Sequence, residues 1–289
     1  MSFDAFIETA WNDHADRPQE VADRLAASLS VVETPEHIAP FARLVTHVFG
    51  EHLGQWQRGI AVLESLGRLP ACADGTPGAG AVLRSIAALG HAGGDPAALD
   101  GLSREDRVSA LAVAASAFTG RNGFGRAIAT YAEALDLARA GLPAGSPALR
   151  ALAVGGNNLA AALEEKPDRD AAETRGMLVA AEGGLQYWTL AGTWLEEERA
   201  EYRLARSRLQ AGDAAGAVQS AQRCIAVCAR NDAPAFELFF GHAALAMAQR
   251  AAGDAQACAA TRGIALELAA QVPAEERQWL ASDLQEIGG

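Results

Sequence analysis

The chain has 289 residues, 50% of them hydrophobic and 21% charged, a composition typical of a folded protein rather than a disordered one. Its 36 acidic residues outnumber its 24 basic residues, which gives a formal net charge of −12 at pH 7. We therefore expect neither nucleic acid nor a membrane surface as a partner, because both attract proteins chiefly through lysine and arginine.

Targeting and disulfide signals also fail to appear in the sequence. No stretch approaches the roughly 20 apolar residues that span a bilayer. The first residues carry acids at Asp4 and Glu8 instead of the cationic start of a signal peptide. The four cysteines, Cys72, Cys224, Cys228 and Cys258, are too few for a disulfide framework in so long a chain. These features predict a cytoplasmic protein with cysteines buried as small apolar residues.

Helical periodicity runs along the chain, and strand signals are nearly absent. In the first part the pattern predicts helices at about 2–14, 18–31, 35–49 and 55–67. A segment rich in Gly, Pro and Ala at 70–80 reads as a linker, and a helix at about 81–91 follows it. The sequence Gly93-Gly94-Asp95-Pro96 then interrupts the pattern. We expect a bend or break within 70–103.

The rest of the chain reads as helix hairpins. The predicted pairs are 104–118 with 124–140, 147–164 with 169–188, 193–210 with 214–230, and 235–251 with 255–271. A last helix at 274–287 is expected to cap the open end, with its polar face outward. The predicted organisation is therefore N-terminal hairpins at 1–69, an irregular linker with one helix at 70–103, hairpins at 104–272 and a capping helix at 273–289.

The hairpins repeat with a fixed spacing. Gly212 and Gly253 begin equivalent tight turns 41 residues apart, and glycine is the residue for which positive φ costs least. Five positions after the start of each turn a small residue recurs, which lets the two helices of a hairpin approach closely. These small residues are Gly59, Ala127, Ala217 and Cys258.

The turn glycine, the small residues at helix contacts and the prolines after second helices resemble the tetratricopeptide repeat (TPR). The run from Gly156 to Leu163, with Asn157-Asn158-Leu159-Ala160 at its centre, is similar to that of the longer kinesin-light-chain-type repeat. The usual aromatic residues and leucines of the first helix are mostly missing. The resemblance implies an all-α fold, an α-α superhelix (TPR-like solenoid) of antiparallel helix hairpins with a C-terminal capping helix, whose concave groove holds peptides.

The candidate site lies on the first helices of the hairpins, which line the concave face of such an array. Helix spacing places Arg199, Tyr202 and Arg206 on one face of one such helix. Alignment with the groove asparagine of the family adds Asn157 and Arg150 one repeat earlier. One repeat later the equivalent positions are Phe240, Met247 and Arg250.

This predicted surface is cationic, with amide and aromatic character, in a chain of net negative charge. Arginine forks and amides suit a carboxylate or the backbone of an extended peptide. An alternative stays open, because Arg199, Arg203 and Arg206 also lie within reach of glutamates on the same helix and would then only form surface ion pairs. Those glutamates are Glu196, Glu197, Glu198 and Glu201. Trp11, Trp56 and Trp279 are expected in the core between repeats.

No motif for catalysis is found. His47, Glu51 and His52 suggest a metalloprotease helix, but the zincin pattern needs histidines four residues apart, and here the spacing is five. Both rings are therefore not expected to face one metal, and no metal or cofactor is predicted. Gly78-Ala79-Gly80 follows no strand and is interpreted as linker, not as a dinucleotide fingerprint.

The sequence thus favours a non-catalytic scaffold that binds a peptide or protein segment, one bearing a carboxylate, in its groove. A regulatory sensor array for a small molecule or signalling peptide and a self-associating structural protein remain as alternatives.

Overall fold

The computed structural model describes residues 2–288, and within this range the chain forms α-helices and shorter helical turns but no strand. The α-helices are α1 (Phe3–Asp13), α2 (Pro18–Ala27), α3 (Pro35–Thr46), α4 (Trp56–Gly67), α5 (Pro77–Ala92), α6 (Arg104–Gly120), α7 (Phe124–Ala138), α8 (Pro147–Glu165), α9 (Ala171–Ala191), α10 (Trp194–Gln210), α11 (Ala214–Arg230), α12 (Ala235–Ala251), α13 (Ala255–Gln271) and α14 (Ala281–Gly288). The predicted all-α class is confirmed. None of these described helices is long and apolar enough to cross a bilayer.

Local sequence signals fix where the hairpin helices begin and end. Asp170 and Thr193 form capping boxes at the N-termini of α9 and α10, each with a glutamate three residues later. Gly212 and Gly253 adopt φ values of 81° and 80° in the tight turns before α11 and α13. Because these signals are local, the helices from α6 to α13 match the predicted bounds to within three residues.

The helices form two compact units, Met1–Gly155 and Gly156–Gly289. In the first unit, Phe41, Phe49, Leu63 and Leu89 are fully buried in one core cluster. A Cβ atom at Gly59 would lie 2.7 Å from Leu89 Cδ1 and 2.8 Å from Phe49 Cβ. The helices there can approach this closely only because residue 59 has no side chain.

Two features of the first unit differ from the expectation. The interpretation of 70–80 as linker is wrong for its last four residues, because α5 begins at Pro77, and the Thr76 hydroxyl accepts a hydrogen bond from the Ala79 amide. Gly78 belongs to this helix and faces Ile38 of α3. In addition, α3 does not continue to residue 49 as an α-helix but gives way to a π-helical turn, His47–His52.

In the second unit, α10–α11 and α12–α13 are antiparallel hairpins. Phe239, Ala243 and Ala265 are fully buried between α12 and α13. A Cβ at Gly241 would lie 2.9 Å from Ile225 Cγ1, so α11 and α12 also make a close approach.

The C-terminal segment, residues 273–288, differs from the single helix predicted at 274–287. A 3-10 turn at Arg277–Leu280 precedes the short helix α14. Leu280 and Ile287 are buried in the same core as α12, and Asp283 is buried as well. The reason is that apolar residues at helical spacing begin only at Leu280, so the residues before it have no face to pack.

Candidate ligand-binding groove

A cavity of about 380 Å³ lies in the second unit. Its walls come from α8, α10, α12 and the C-terminal segment. The lining residues are Asn157, Glu198, Arg199, Tyr202, Arg203, Phe236, Glu237, Phe240 and Trp279. This volume falls within the size range of small-ligand pockets.

Four of the predicted groove residues line this one cavity. Arg199 and Tyr202 come from α10, Phe240 comes from α12 and Asn157 comes from α8. The Tyr202 ring meets the Phe240 ring edge-on, with centroids 5.5 Å apart. Helix spacing and the repeat period were therefore sufficient to identify residues that the fold brings together.

Arg199 is held by a glutamate from the next hairpin. Its Nη2 donates to Glu237 Oε1 at 2.6 Å and its Nε donates to Glu237 Oε2 at 3.3 Å, a fork-to-fork contact. The Glu237 carboxylate raises the pKa of Arg199 further above its ordinary value. The arginine side chain is 56% exposed while that of Glu237 is 7% exposed, so the guanidinium stands at the mouth of the cavity.

A second carboxyl group, that of Glu198, also lies in the cavity wall. It is fully buried, and its Oε1 accepts a hydrogen bond from the Cys224 thiol at 3.2 Å. Its Oε2 is buried with no hydrogen-bond partner. Burial, with the neighbouring Cys228 and Glu237, raises the pKa of Glu198 to about 9. This side chain is therefore a neutral carboxylic acid at pH 7.

Tyr202 and Arg206 contact the C-terminal segment. The Tyr202 hydroxyl donates to Asp283 Oδ1 at 2.7 Å. Burial and the nearby Asp283 charge raise the pKa of Tyr202 well above its usual range, so the hydroxyl stays protonated. Arg206 Nη1 lies 2.7 Å from Glu286 Oε2 and 3.9 Å from Asp283 Oδ1.

The remaining predicted residues lie outside the cavity. Met247 is buried in the core and its sulfur contacts Arg206. Arg250 is exposed and donates to the Glu286 carbonyl at 2.9 Å. Arg150 is an exposed residue of α8 and belongs to the first unit.

The arginines of α10 pair with acids on other helices, not only with the glutamates of α10 that the alternative interpretation invoked. Arg199 contacts Glu237 of α12, and Arg203 pairs with Glu164 of α8. Burial raises the pKa of Glu164, although the Arg203 charge opposes this effect. These arginines therefore help to fix the helices of the second unit, whatever else they bind.

Five lining residues were not among the predicted groove residues: Glu198 and Arg203 of α10, and Phe236, Glu237 and Trp279. Phe236 precedes Phe240 by one helical turn, and this spacing could have revealed it. Glu237 gave no signal, because its partner lies 38 residues earlier. Trp279 was expected in the core but is 67% exposed. The reason is that the C-terminal segment buries Leu280 and so turns Trp279 towards the opening.

A second cavity of about 490 Å³ adjoins the first. The two share Arg199, Phe236, Glu237 and Trp279, and the second continues past Pro234 and Pro273. The two cavities together make a groove that is open at the surface and flanked by two aromatic rings.

Comparison with known proteins supports the fold through structure rather than through sequence. No family model matches the chain, and no curated protein sequence matches it significantly. A solved structure from Podosopora anserina, described as a kinesin light chain with nearly identical TPR-like repeats, is 14% identical, with a TM-score of 0.50; the match covers 82% of this chain and 97% of that one. The structure of a single-substitution variant of that protein gives the same values.

A further similar structure is BtubC (BKLC) from P. vanneervenii. It is 16% identical, with a TM-score of 0.51 over 93% of this chain and 92% of that one. At these identities the likeness concerns the fold. It confirms the all-α fold class, a TPR-like solenoid.

Proposed function

We propose that this TPR-like chain is a non-catalytic scaffold that binds a peptide or protein segment in the groove of its second unit. The observation that carries the proposal is the convergence of Asn157, Arg199, Tyr202 and Phe240, each inferred from the repeat pattern, on one cavity. A surface formed by packed helices is already ordered before a ligand arrives, which lowers the free-energy cost of binding.

The charge of the cavity wall supports a ligand with a carboxylate. The ionisable lining groups are Arg199, Arg203, Glu237, Tyr202 and Glu198. The last two are neutral at pH 7, because their pKa values are raised. Arg203 is paired with Glu164 behind the wall, so the half-exposed guanidinium of Arg199 is the cation that stands at the opening.

The shape and chemistry of the opening favour an aromatic or large apolar side chain next to that carboxylate. Phe236 and Trp279 line both cavities and stand beside Arg199. Aromatic anchors and arginine dominate binding energy at many interfaces. A guanidinium has five N–H donors, and Arg199 uses Nε and Nη2 on Glu237, so Nη1 can serve a ligand carboxylate.

The test is selection of peptides on the full chain from a library that pairs an acidic residue with an aromatic one. Affinities of the selected peptides would then be measured by fluorescence anisotropy for wild type, Arg199→Ala and Trp279→Ala. We expect each substitution to weaken binding by at least about tenfold, a loss of about 1.4 kcal/mol.

Arg139→Ala is the matched control for charge, because Arg139 is an exposed arginine just after α7 that also pairs with a nearby acid. It should bind the peptides as wild type does. Circular dichroism would verify that all variants keep their helical content. Equal affinities for Arg199→Ala, Trp279→Ala and wild type would contradict the groove proposal, as would a library that yields no binder.

A further inference from the structure

Three histidines meet in the first unit, far from any groove residue in the sequence. His14 follows α1, and His47 and His52 are the first and last residues of the π-turn. One ring nitrogen from each lies within 4.8 Å of the others. The closest pair is His47 Nε2 and His52 Nε2, 3.1 Å apart.

The π-turn explains why histidines five residues apart share one side. Hydrogen bonds in a π-turn run from residue i to i+5, and Leu53 N donates to Val48 O at 3.1 Å in this pattern. Residues five positions apart therefore lie one above the other on the same side of the π-turn, as residues four positions apart do in an α-helix. The expectation that His47 and His52 cannot face one metal assumed an α-helix and is wrong for this geometry.

Two of the rings are oriented by neighbours that hold the other nitrogen. His47 Nδ1 lies 2.9 Å from Glu51 Oε1. His14 Nδ1 donates to the Trp11 carbonyl. A proton held on Nδ1 leaves the lone pair of Nε2 for a ligand, and metal-binding histidines almost always have such a carboxylate or carbonyl partner.

The distance between two of the ring nitrogens also fits a metal ion. Zinc–nitrogen bonds of about 2.0–2.1 Å in tetrahedral geometry place two ligand nitrogens about 3.3 Å apart. The Nε2 atoms of His47 and His52 already meet this spacing. All three histidines are partly exposed, so solvent can supply a fourth ligand.

We propose that His14, His47 and His52 bind one divalent metal ion of the zinc class through their Nε2 atoms, with Glu51 and the Trp11 carbonyl as orienting partners. The ion would connect the end of α1 to the turn that follows α3. Its role would be to stabilise the N-terminal helices of the first unit, since metal binding adds to folding free energy when the site exists only in the folded state.

The test uses the full chain, stripped of metal with a chelator and titrated with Zn²⁺ by calorimetry and with Co²⁺ by visible absorption. We expect one ion per chain and the intense absorption of four-coordinate Co²⁺. The melting temperature should rise when Zn²⁺ is added.

Variants separate this site from adventitious binding. Single His14→Gln, His47→Gln and His52→Gln substitutions should each weaken Zn²⁺ affinity by at least about 100-fold. Glu51→Gln should weaken it by about 10–100-fold, the range typical for loss of an orienting partner. His91→Ala removes a histidine of the same unit outside the cluster and should bind Zn²⁺ as wild type does.

Two results would overturn the proposal. One is a wild-type chain that binds Zn²⁺ no more tightly than the three histidine variants, which would leave the His47–His52 contact as a hydrogen bond alone. The other is six-coordinate Co²⁺ absorption that persists in those variants. Circular dichroism of the metal-free variants would verify that each is folded before its affinity is compared.

Discussion

Glu198 shows how one buried residue couples the groove to pH. In the folded chain its pKa is raised to about 9, whereas its ordinary value is 4.5. Between these two values the folded state keeps a proton that the unfolded state has released. The free energy of unfolding must therefore fall as pH rises between pH 4.5 and about 9. The contribution of Glu198 to this free energy is fully present only below pH 4.5.

The Glu198→Gln variant tests this coupling. Glutamine keeps the shape of the protonated acid but cannot ionise, so one titrating proton disappears. We expect the slope of unfolding free energy against pH to become less negative by about 1.4 kcal/mol per pH unit between about pH 6 and 8. The variant should also be more stable than wild type at the upper end of that range.

Urea denaturation at several pH values measures this slope. Glu267→Gln, at an exposed position of α13, is the control and should give a profile parallel to that of wild type. Parallel profiles for Glu198→Gln and wild type would show that Glu198 is ionised in the folded state.

At the same scale, the sequence predicted four of the residues that line the cavity, but not which residues they contact. Spacing along α10 identifies Arg199 and Tyr202, because position on a helix depends only on sequence separation. Their partners Glu237 and Asp283 lie 38 and 81 residues away. Such contacts depend on how later helices pack, and no local pattern records that packing.

At the scale of the element, prediction succeeded where a start or stop signal is local. The turns at Gly212 and Gly253 separate α10 from α11 and α12 from α13, and the helices from α6 to α13 match their predicted bounds to within three residues. The start of α5 also has a local signal in the sequence, since Thr76 is the N-cap and Pro77 occupies the first helical position. The glycines and alanines around it led instead to the interpretation of this segment as linker. The π-turn at His47–His52 has no such signal, because it inserts one residue into a turn without changing composition.

The C-terminal segment gives an element-scale prediction, because one leucine anchors it. Leu280 is fully buried in the core with α12, and on either side of it lie Trp279 of the groove wall and Asp283, the partner of Tyr202. Leu280→Ala should lower the free energy of unfolding by about 2–4 kcal/mol, the usual cost of emptying a buried leucine site.

Leu266→Ala is the matched control for that measurement, because Leu266 of α13 is 44% exposed. It should cost less than about 1 kcal/mol. Similar losses for the two leucine variants would contradict the anchoring role of Leu280. Urea denaturation of both variants supplies the comparison.

At the scale of the whole molecule, repetition is what made the fold predictable. Each hairpin of a repeat array packs mainly on its neighbours, so a pattern seen in one repeat predicts the next. The three departures, the start of α5, the π-turn at His47–His52 and the C-terminal segment, all lie outside the four hairpins formed by α6 to α13.

The modular construction also predicts that a fragment beginning at α8 folds without the preceding residues. The second unit has its own buried core, including Phe239, Ala243 and Leu280. We expect the fragment 147–289 to be helical and to unfold cooperatively, because the whole of its buried core lies within the fragment. Circular dichroism during heating measures both properties.

A shorter fragment, 167–289, tests what α8 contributes within the second unit. It lacks Glu164, which pairs with Arg203 and accepts a hydrogen bond from the Ser207 hydroxyl at 2.5 Å. Removal of α8 also loses the burial of its apolar residues Leu159, Ala160 and Leu163, which stabilises the folded state. The shorter fragment should therefore unfold at clearly lower urea concentration than 147–289.

Equal urea midpoints for the two fragments would mean that α8 does not stabilise the second unit. A fragment 147–289 that is unfolded would mean that this unit depends on the residues before it.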